Sequence, residues 1–137
     1  EMLGPIDART ASAAKHFWPG PLSLVVAASP RLSGHVGQAD NRTVAVRVPD
    51  HAFVRALCGR AGTLLTATSA NKTGEPPATD AATVTRSIGG LVDLVIDGGT
   101  TPGGLASTIA DLRGPVPRLI RDGATPWAAI LEVLRVT

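Results

Sequence analysis

Short apolar segments alternate with helical patterns along this chain, and glycine and proline residues separate the two. Residues 42–48 show the strand pattern clearly, because Val44, Val46 and Val48 share one face and Arg47 lies on the other. Some intervals between predicted strands hold a helix and others only a short loop. The sequence therefore predicts an α/β fold, in which residues 1–137 form a single domain with a twisted, mixed parallel and antiparallel sheet and flanking helices.

The periodic segments and their punctuation predict five or six strands and four helices. The strands are predicted at residues 22–28, 42–48, 63–68, 91–96, 107–112 and 116–121. The helices are predicted at 6–17, from an Asp50 cap to 60, from an Asp80 cap to 88, and after a Thr125 cap. The first helix should end before Trp18-Pro19, since proline disfavours a helical conformation in the residue before it.

Charge, cysteine content and hydropathy exclude several classes of protein. The net charge of +2 is too small to indicate nucleic-acid binding by bulk electrostatics. Cys58 is the single cysteine, so an internal disulfide and a cysteine-rich metal site are excluded, and we expect a reducing, cytoplasmic location. The apolar stretch at residues 24–28 is far shorter than the roughly 20 residues that cross a bilayer, so no membrane partner is expected.

Nucleophilic catalysis and metal binding find little support in the residue pattern. The chain contains no Gly-x-Ser-x-Gly motif, and its three histidines are scattered. Asp93 and Asp97 share strand parity, but no His or Cys accompanies them at ligand spacing. We therefore assign neither a catalytic side chain nor a metal ligand.

Polar side chains follow or occupy several predicted strands, and they are the candidates for a binding site. The run at 66–77, TATSANKTGEPP, taken alone is explained by a well-made turn, and it is also typical of a binding loop. The glycines at 98–104 allow close approach to an anion, but no Gly-Lys-Ser/Thr follows. If they gather on one sheet face, five residues would form a pocket for a ligand with a carboxylate and phosphates: Arg47, Ser69, Asn71, Ser107 and Arg121.

Five ordered motifs resemble the YrdC-like threonylcarbamoyl-AMP synthases over residues 14–123. The motifs are FWPGPLSLV at 17–25, TVAVRVPDH at 43–51, ATSAN at 67–71 with Gly74 and Pro76, STI at 107–109 before Asp111-Leu112, and LIRDG at 119–123. The resemblance implies a YrdC-like fold. It also implies formation of threonylcarbamoyl-AMP and pyrophosphate from ATP, L-threonine and bicarbonate, for the tRNA threonylcarbamoyladenosine modification.

The resemblance implies roles for individual residues and partners. Threonine would be bound by Arg47, which clamps its carboxylate, and by Ala67 and Ser107. The nucleotide would be held by Thr43, Ser69, Asn71, Pro77 and Arg121. Mg²⁺ would accompany ATP as the cofactor, and the further partners implied are tRNA or double-stranded RNA and tRNA-modification proteins.

The sequence departs from the family at its beginning. Family members carry a first strand and helix, a Lys-x-Arg triphosphate-binding motif and a threonine-contacting histidine upstream of the FWPGP motif, and none of these is found here. We therefore expect an N-terminally truncated relative, either a fragment of an active enzyme or a shortened relative with weakened catalysis. Two alternatives stay open: a noncatalytic nucleotide- or RNA-binding module, and a carbamoyltransferase-associated domain that handles carbamoyl-adenylate.

Overall fold

The computed structural model describes residues 2–37 and 40–136. Its elements are α1 (Ala8–Phe17), β1 (Leu22–Ala27), β2 (Thr43–Val46), α2 (Ala52–Ala61), α3 (Ala81–Ile88), a 3₁₀ turn (Gly89–Leu91), β3 (Thr108–Asp111), β4 (Arg118–Arg121) and α4 (Trp127–Arg135). Contacts divide the chain into two compact units. The first runs to Leu65 and resumes at Leu105, and the second is Thr66–Gly104. No helix in the described ranges is long and apolar enough to cross a membrane.

The strands of the first unit form a mixed sheet in the order β2-β1-β3-β4. β2 runs antiparallel to β1, with Leu24 opposite Val46. β3 runs parallel to β1, with Leu22 opposite Thr108, and β4 runs antiparallel to β3. The predicted α/β class with a mixed sheet is therefore confirmed, because one parallel pair lies between two antiparallel pairs.

The apolar core of the first unit lies on one face of this sheet. α1 packs against both β1 and α4. Successive side chains of a strand point to opposite faces, so the residues that alternate with the core residues face away from the helices. The buried cluster consists of Ala13, Leu22, Leu24, Ala110, Leu112 and Ile130.

Aspartate caps begin two of the helices. The Asp7 carboxylate accepts hydrogen bonds from the Thr10 backbone N–H at 3.0 Å and from the Thr10 hydroxyl at 2.7 Å, so α1 begins two residues later than predicted. Asp80 caps α3 in the same way through Thr83, at 2.8 and 3.0 Å, as predicted. Each cap satisfies backbone donors that the first helical turn leaves unpaired.

Two other predicted helix caps are wrong. Asp50 forms an ion pair with Arg55 at 3.2 Å, and His51 is the N-cap residue of α2. At α4 the N-cap residue is Pro126, because the backbone of Thr125 is already engaged. The hydroxyl of Thr108 donates to the Thr125 carbonyl at 2.7 Å and accepts from the Thr125 N–H at 3.0 Å.

Two predicted strands are also wrong, since residues 63–68 and 91–96 form no strand in the structure. Within the described ranges, neither segment has a neighbouring strand to take up its backbone N–H and C=O groups. Leu94 in the second of these segments is 74% exposed, as expected for a residue outside a packed sheet. β2 and β4 are shorter than the predicted strands at 42–48 and 116–121.

The second unit has no buried residue. Hydrogen bonds link segments within this unit: Thr101 N–H donates to the Thr79 carbonyl at 2.8 Å, and the Ser87 hydroxyl donates to Glu75 Oε2 at 2.8 Å. Caps and turns therefore order this unit, rather than an apolar core of its own.

Asp111 at the end of β3 holds two arginines. Its Oδ2 lies 2.8 Å from Arg113 Nη2 and 3.0 Å from Arg118 Nη2, and the residue is only 5% exposed. The hydrogen bonds from Arg113 lower the pKa of the Asp111 carboxyl far below its usual range, and that from Arg118 adds to this, although burial acts in the opposite direction. The carboxylate thus ties β4 and the connection before it to β3.

We expect Asp111→Asn to lower the free energy of unfolding by about 2 kcal/mol at pH 7, because the charged hydrogen bonds are lost. The folded-state pKa is depressed, so the charge stabilises the fold above the unfolded pKa of about 4, and this stabilisation is lost as the pH falls below that value. The free energy of unfolding, measured with urea at a series of pH values, should therefore fall less steeply between about pH 5 and acid pH in the variant than in the wild type. Asp93→Asn, at an exposed position, is the control. An equal loss of unfolding free energy at acid pH in the wild type and in Asp111→Asn would contradict this assignment.

Candidate functional site

Four predicted site residues belong to the first unit, and the alternation of side chains along the strands assigns them to the sheet face opposite the core. Thr43 pairs with Ala27, and Arg121 pairs with Ile109, at positions that alternate with the buried residues. The register that pairs Leu24 with Val46, continued by one residue, sets Arg47 opposite Ser23. The fourth residue is Ser107, which directly precedes β3.

Arg121 and Ser107 are in direct contact. Arg121 donates from Nε and Nη2 to the Ser107 carbonyl at 3.0 and 2.7 Å, and from Nη2 to Ser107 Oγ at 2.9 Å. Ser23 Oγ lies 3.0 Å from the same Ser107 Oγ. Among the described residues Arg121 Nη1 makes no hydrogen bond, so an exposed guanidinium edge is left for an anion.

Ser23 is the member of this network that the sequence interpretation missed. It is the one polar residue of β1, LSLVVA, and it is only 9% exposed. A single hydroxyl in an otherwise apolar strand, with the parity of Arg47 on the neighbouring strand, was the signal that could have identified it.

Arg47 follows β2 and is exposed. In the part of the chain that the structure describes it makes no hydrogen bond or ion pair, so its fork of donors is available to a carboxylate. The Gly20 N–H donates to the carbonyl of Val48 at 2.9 Å and so fixes the segment that follows Arg47. A Cβ at Gly20 would collide with the Phe17 carbonyl, which accounts for glycine at this point of the FWPGP motif.

Thr43 is buried at the start of β2, and its hydroxyl donates to Asn41 Oδ1 at 2.6 Å. The proton of this hydroxyl is therefore committed within the protein, and only the lone pairs of its oxygen remain for another donor. Its predicted contact with a nucleotide stays a prediction.

The remaining predicted site residues belong to the second unit, and their roles also stay predictions. Ala67, Ser69 and Pro77 are exposed. Asn71 closes its loop, because Nδ2 donates to the Lys72 carbonyl at 2.9 Å and to the Glu75 carbonyl at 2.8 Å. Asn71 Oδ1 is buried and has no hydrogen-bond partner among the described residues.

The described residues of the two units form no cluster of metal ligands. Within residues 2–37 and 40–136, no group of three or more His, Cys, Asp or Glu side chains is placed to hold a metal ion. Mg²⁺ commonly keeps several waters and binds through substrate phosphates with one or two carboxylates. Mg²⁺ thus remains a proposal tied to ATP, with no residue of this chain assigned to it.

The fold and the first unit's candidate site define an α/β protein in which one sheet face holds the core and the other carries guanidinium and hydroxyl groups. The sequence profile of the Sua5_yciO_yrdC family, described as telomere recombination, matches residues 1–123. The chain belongs to this family, and the resemblance noted from its motifs is confirmed.

Relatives with assigned names agree with one another. The threonylcarbamoyl-AMP synthase of Bacillus subtilis (strain 168) is 34% identical over 134 residues, which is 98% of this chain and 39% of the relative. The threonylcarbamoyl-AMP synthase of Pyrococcus abyssi (strain GE5 / Orsay) is 40% identical over 124 residues, which is 88% of this chain and 35% of the relative. The chain therefore spans about two fifths or less of the length of these relatives.

Solved structures show the same fold. The crystal structure of P. abyssi Sua5 complexed with L-threonine matches with a TM-score of 0.86 and 36% identity, covering 97% of this chain and 39% of that one. E. coli YciO matches with a TM-score of 0.79 over 90% of this chain and 60% of that one, and at 23% identity this likeness shows the fold alone. The predicted YrdC-like fold is confirmed.

We expect Gly123→Ala to disturb the contact between Ser107 and Arg121. A Cβ at Gly123 would lie 2.7 Å from the Ser107 carbonyl carbon and 2.6 Å from the Thr108 nitrogen, and it would also collide with the Ala106 carbonyl. Relief of this overlap requires a backbone shift that should lower the free energy of unfolding by about 1–3 kcal/mol.

Chemical denaturation measures this effect of Gly123→Ala. The matched control is Gly98→Ala, because a Cβ at Gly98 meets no atom within 4 Å. An equal midpoint for the two variants would show that the backbone at Gly123 is not closely packed in solution.

Proposed function

We propose that this chain serves the synthesis of threonylcarbamoyl-AMP and pyrophosphate from ATP, L-threonine and bicarbonate, for the tRNA threonylcarbamoyladenosine modification. The observation that carries the proposal is the anion-binding face of the first unit, where Arg121 and Ser107 are in contact and Arg47 is exposed with the same parity. Two findings support it: relatives are named threonylcarbamoyl-AMP synthase, and a Sua5 structure of the same fold contains L-threonine.

The proposed reaction asks the protein for positioning and charge stabilisation. Bicarbonate first carboxylates the threonine nitrogen, forming a C–N bond with loss of water. A carboxylate oxygen of the N-carboxylated threonine then forms a bond to the α-phosphorus of ATP, while the bond between the α-phosphorus and its bridging oxygen breaks and pyrophosphate leaves. Arg47 would hold the threonine carboxylate through paired N–H donors, and Ser107 would contact the same amino acid. No side chain acts as a nucleophile, consistent with the absence of a nucleophile motif from the sequence.

Two first-unit residues are proposed for the nucleotide. Arg121 has an exposed guanidinium edge beyond its bonds to Ser107, which suits a phosphate oxygen. Thr43 Oγ1 can still accept a hydrogen bond, which suits a nucleotide hydroxyl or amine.

In the second unit, Asn71 carries the observation that favours a nucleotide contact. A buried acceptor without a partner costs about 1–3 kcal/mol, so the unpaired Oδ1 favours a donor from a bound molecule, such as a ribose hydroxyl. Ser69 and Pro77 on the same unit are proposed for the nucleotide, and Ala67 for threonine, on the family resemblance alone. The roles of bicarbonate, Mg²⁺, tRNA and partner proteins likewise rest on that resemblance.

We expect L-threonine to raise the melting temperature of the wild-type chain and Arg47→Ala to abolish this rise, because the carboxylate loses its charged partner. Loss of a charge-assisted hydrogen bond of about 1.5–3 kcal/mol corresponds to roughly tenfold to a hundredfold weaker binding. Arg47→Lys keeps the charge but loses the fork, so its affinity should be intermediate. Calorimetric titration with L-threonine measures all three.

The control for the Arg47 series is Arg60→Ala, which removes an exposed arginine at the end of α2 and should bind threonine as wild type does. The absence of any melting shift with millimolar ATP or L-threonine in the wild type would contradict the proposed function. Salt-sensitive binding of RNA without pyrophosphate release would instead favour the noncatalytic binding module.

A further inference from the structure

Ser23 has no role in the function proposed above, yet it contacts the centre of the site. Its neighbours in β1, Leu22 and Leu24, are fully buried in the core, so the strand holds Ser23 on the opposite face with little freedom. The contact that the structure gives its hydroxyl is Ser107 Oγ, at 3.0 Å. Among the described residues the Ser23 hydroxyl makes no other hydrogen bond, so an effect of Ser23 on the site would pass through Ser107.

The hydrogen-bond inventory of Ser107 Oγ determines what that contact can do. A hydroxyl has one proton to donate and two lone pairs to accept with. Arg121 can only donate, and its Nη2 occupies one lone pair of Ser107 Oγ at 2.9 Å. Between the two serines either hydroxyl can be the donor. When Ser23 donates, both lone pairs of Ser107 are occupied and the Ser107 proton is free for another acceptor.

Relative exposure favours this arrangement when an anionic ligand is bound. Ser107 is partly exposed, whereas Ser23 is 9% exposed, so a ligand oxygen can reach the proton of Ser107 more readily than that of Ser23. The opposite arrangement would leave the spare proton on the buried hydroxyl of Ser23. A ligand carboxylate therefore gains a hydrogen bond in only one of the two arrangements.

We propose that Ser23 is a positioning residue: it donates to Ser107 Oγ and, together with Arg121, turns the Ser107 hydroxyl into a directed hydrogen-bond donor for a carboxylate oxygen of the amino-acid substrate. This inference rests on the proposed function and deepens it. It assigns recognition of the amino acid to a relay that begins one strand away, in β1. Ser23 itself does not touch the substrate.

The test compares two variants of matched shape. Ser23→Thr keeps the hydroxyl. Ser23→Val introduces a side chain of nearly the same volume as threonine but without the hydroxyl, so a comparison of the two variants separates the hydrogen bond from packing. We expect Ser23→Thr to bind L-threonine as the wild type does and Ser23→Val to bind it about threefold to tenfold more weakly, the loss of one ordinary hydrogen bond. The change in ATP affinity should be smaller, about twofold or less by the same reasoning. Calorimetric titrations with each ligand measure these values.

A purely structural role for Ser23 makes a different prediction, and Thr108→Val provides the comparison. Thr108 is the fully buried hydroxyl next to Ser107, and it binds the backbone of Thr125. Its removal should lower the melting temperature while the threonine affinity of the folded chain stays at the wild-type value. Loss of threonine affinity in Ser23→Val beyond that in Thr108→Val would thus support positioning over general destabilisation.

The outcomes separate the two levels of the proposal. Equal threonine affinities for Ser23→Thr and Ser23→Val would overturn the role of Ser23 and leave the proposed function standing. A weaker affinity in Ser23→Val alone would support it. A wild-type chain that binds neither L-threonine nor ATP would overturn the proposed function, and the role of Ser23 with it.

Discussion

The parallel pairing of β1 with β3 is the contact on which both faces of the first unit depend. Its register sets Leu22 beside Thr108 and Leu24 beside Ala110, and these residues form or border the core. The same register leaves Ser23 on the opposite face, where its hydroxyl meets Ser107. A slip of one residue would exchange the faces, so the register specifies both the packing of the core and the geometry of the face that carries Ser23 and Ser107.

Residues in and just before β3 make contacts on both faces of the sheet. Ser107 precedes the strand and binds Arg121, Thr108 points to the other face and holds the backbone of Thr125, and Asp111 at the far end holds Arg113. The hydroxyl of Thr108 therefore anchors the segment before α4 while its neighbour serves the site. Substitutions at the adjacent positions 107 and 108 therefore distinguish an effect on ligand binding from an effect on stability.

The sequence predicted those elements whose signals are local. Pro19 ends α1, Asp80 caps α3 and the alternating valines identify β2, because each signal acts within a few residues. The segments at 63–68 and 91–96 have equally good strand patterns. A strand forms only beside a partner strand, however, and the pattern of a segment does not show which strand its partner would be.

The residues of the candidate site could be selected from the sequence, but their contacts could not. Arg47, Ser107 and Arg121 could be selected from the motifs, and strand parity gives them a common face. The contact of Arg121 with Ser107 depends on side-chain rotamers and on the backbone at Gly123. Neither of these can be predicted from the hydrophobic pattern of the sequence. Ser23 stands out in the sequence as the one polar residue of an apolar strand, but its contact with Ser107 depends on the pairing of β1 with β3.

The exposed apolar segment at residues 91–96 has a consequence for the behaviour of this chain in solution. Leu91 is 77% exposed, and the backbone of the segment has no ladder partner in the described ranges. An exposed apolar segment rich in β-branched residues favours intermolecular cross-β stacking if it becomes extended. Asp93 in its middle acts as a gatekeeper, because in-register copies would bring like carboxylates within a strand spacing of about 4.8 Å of one another.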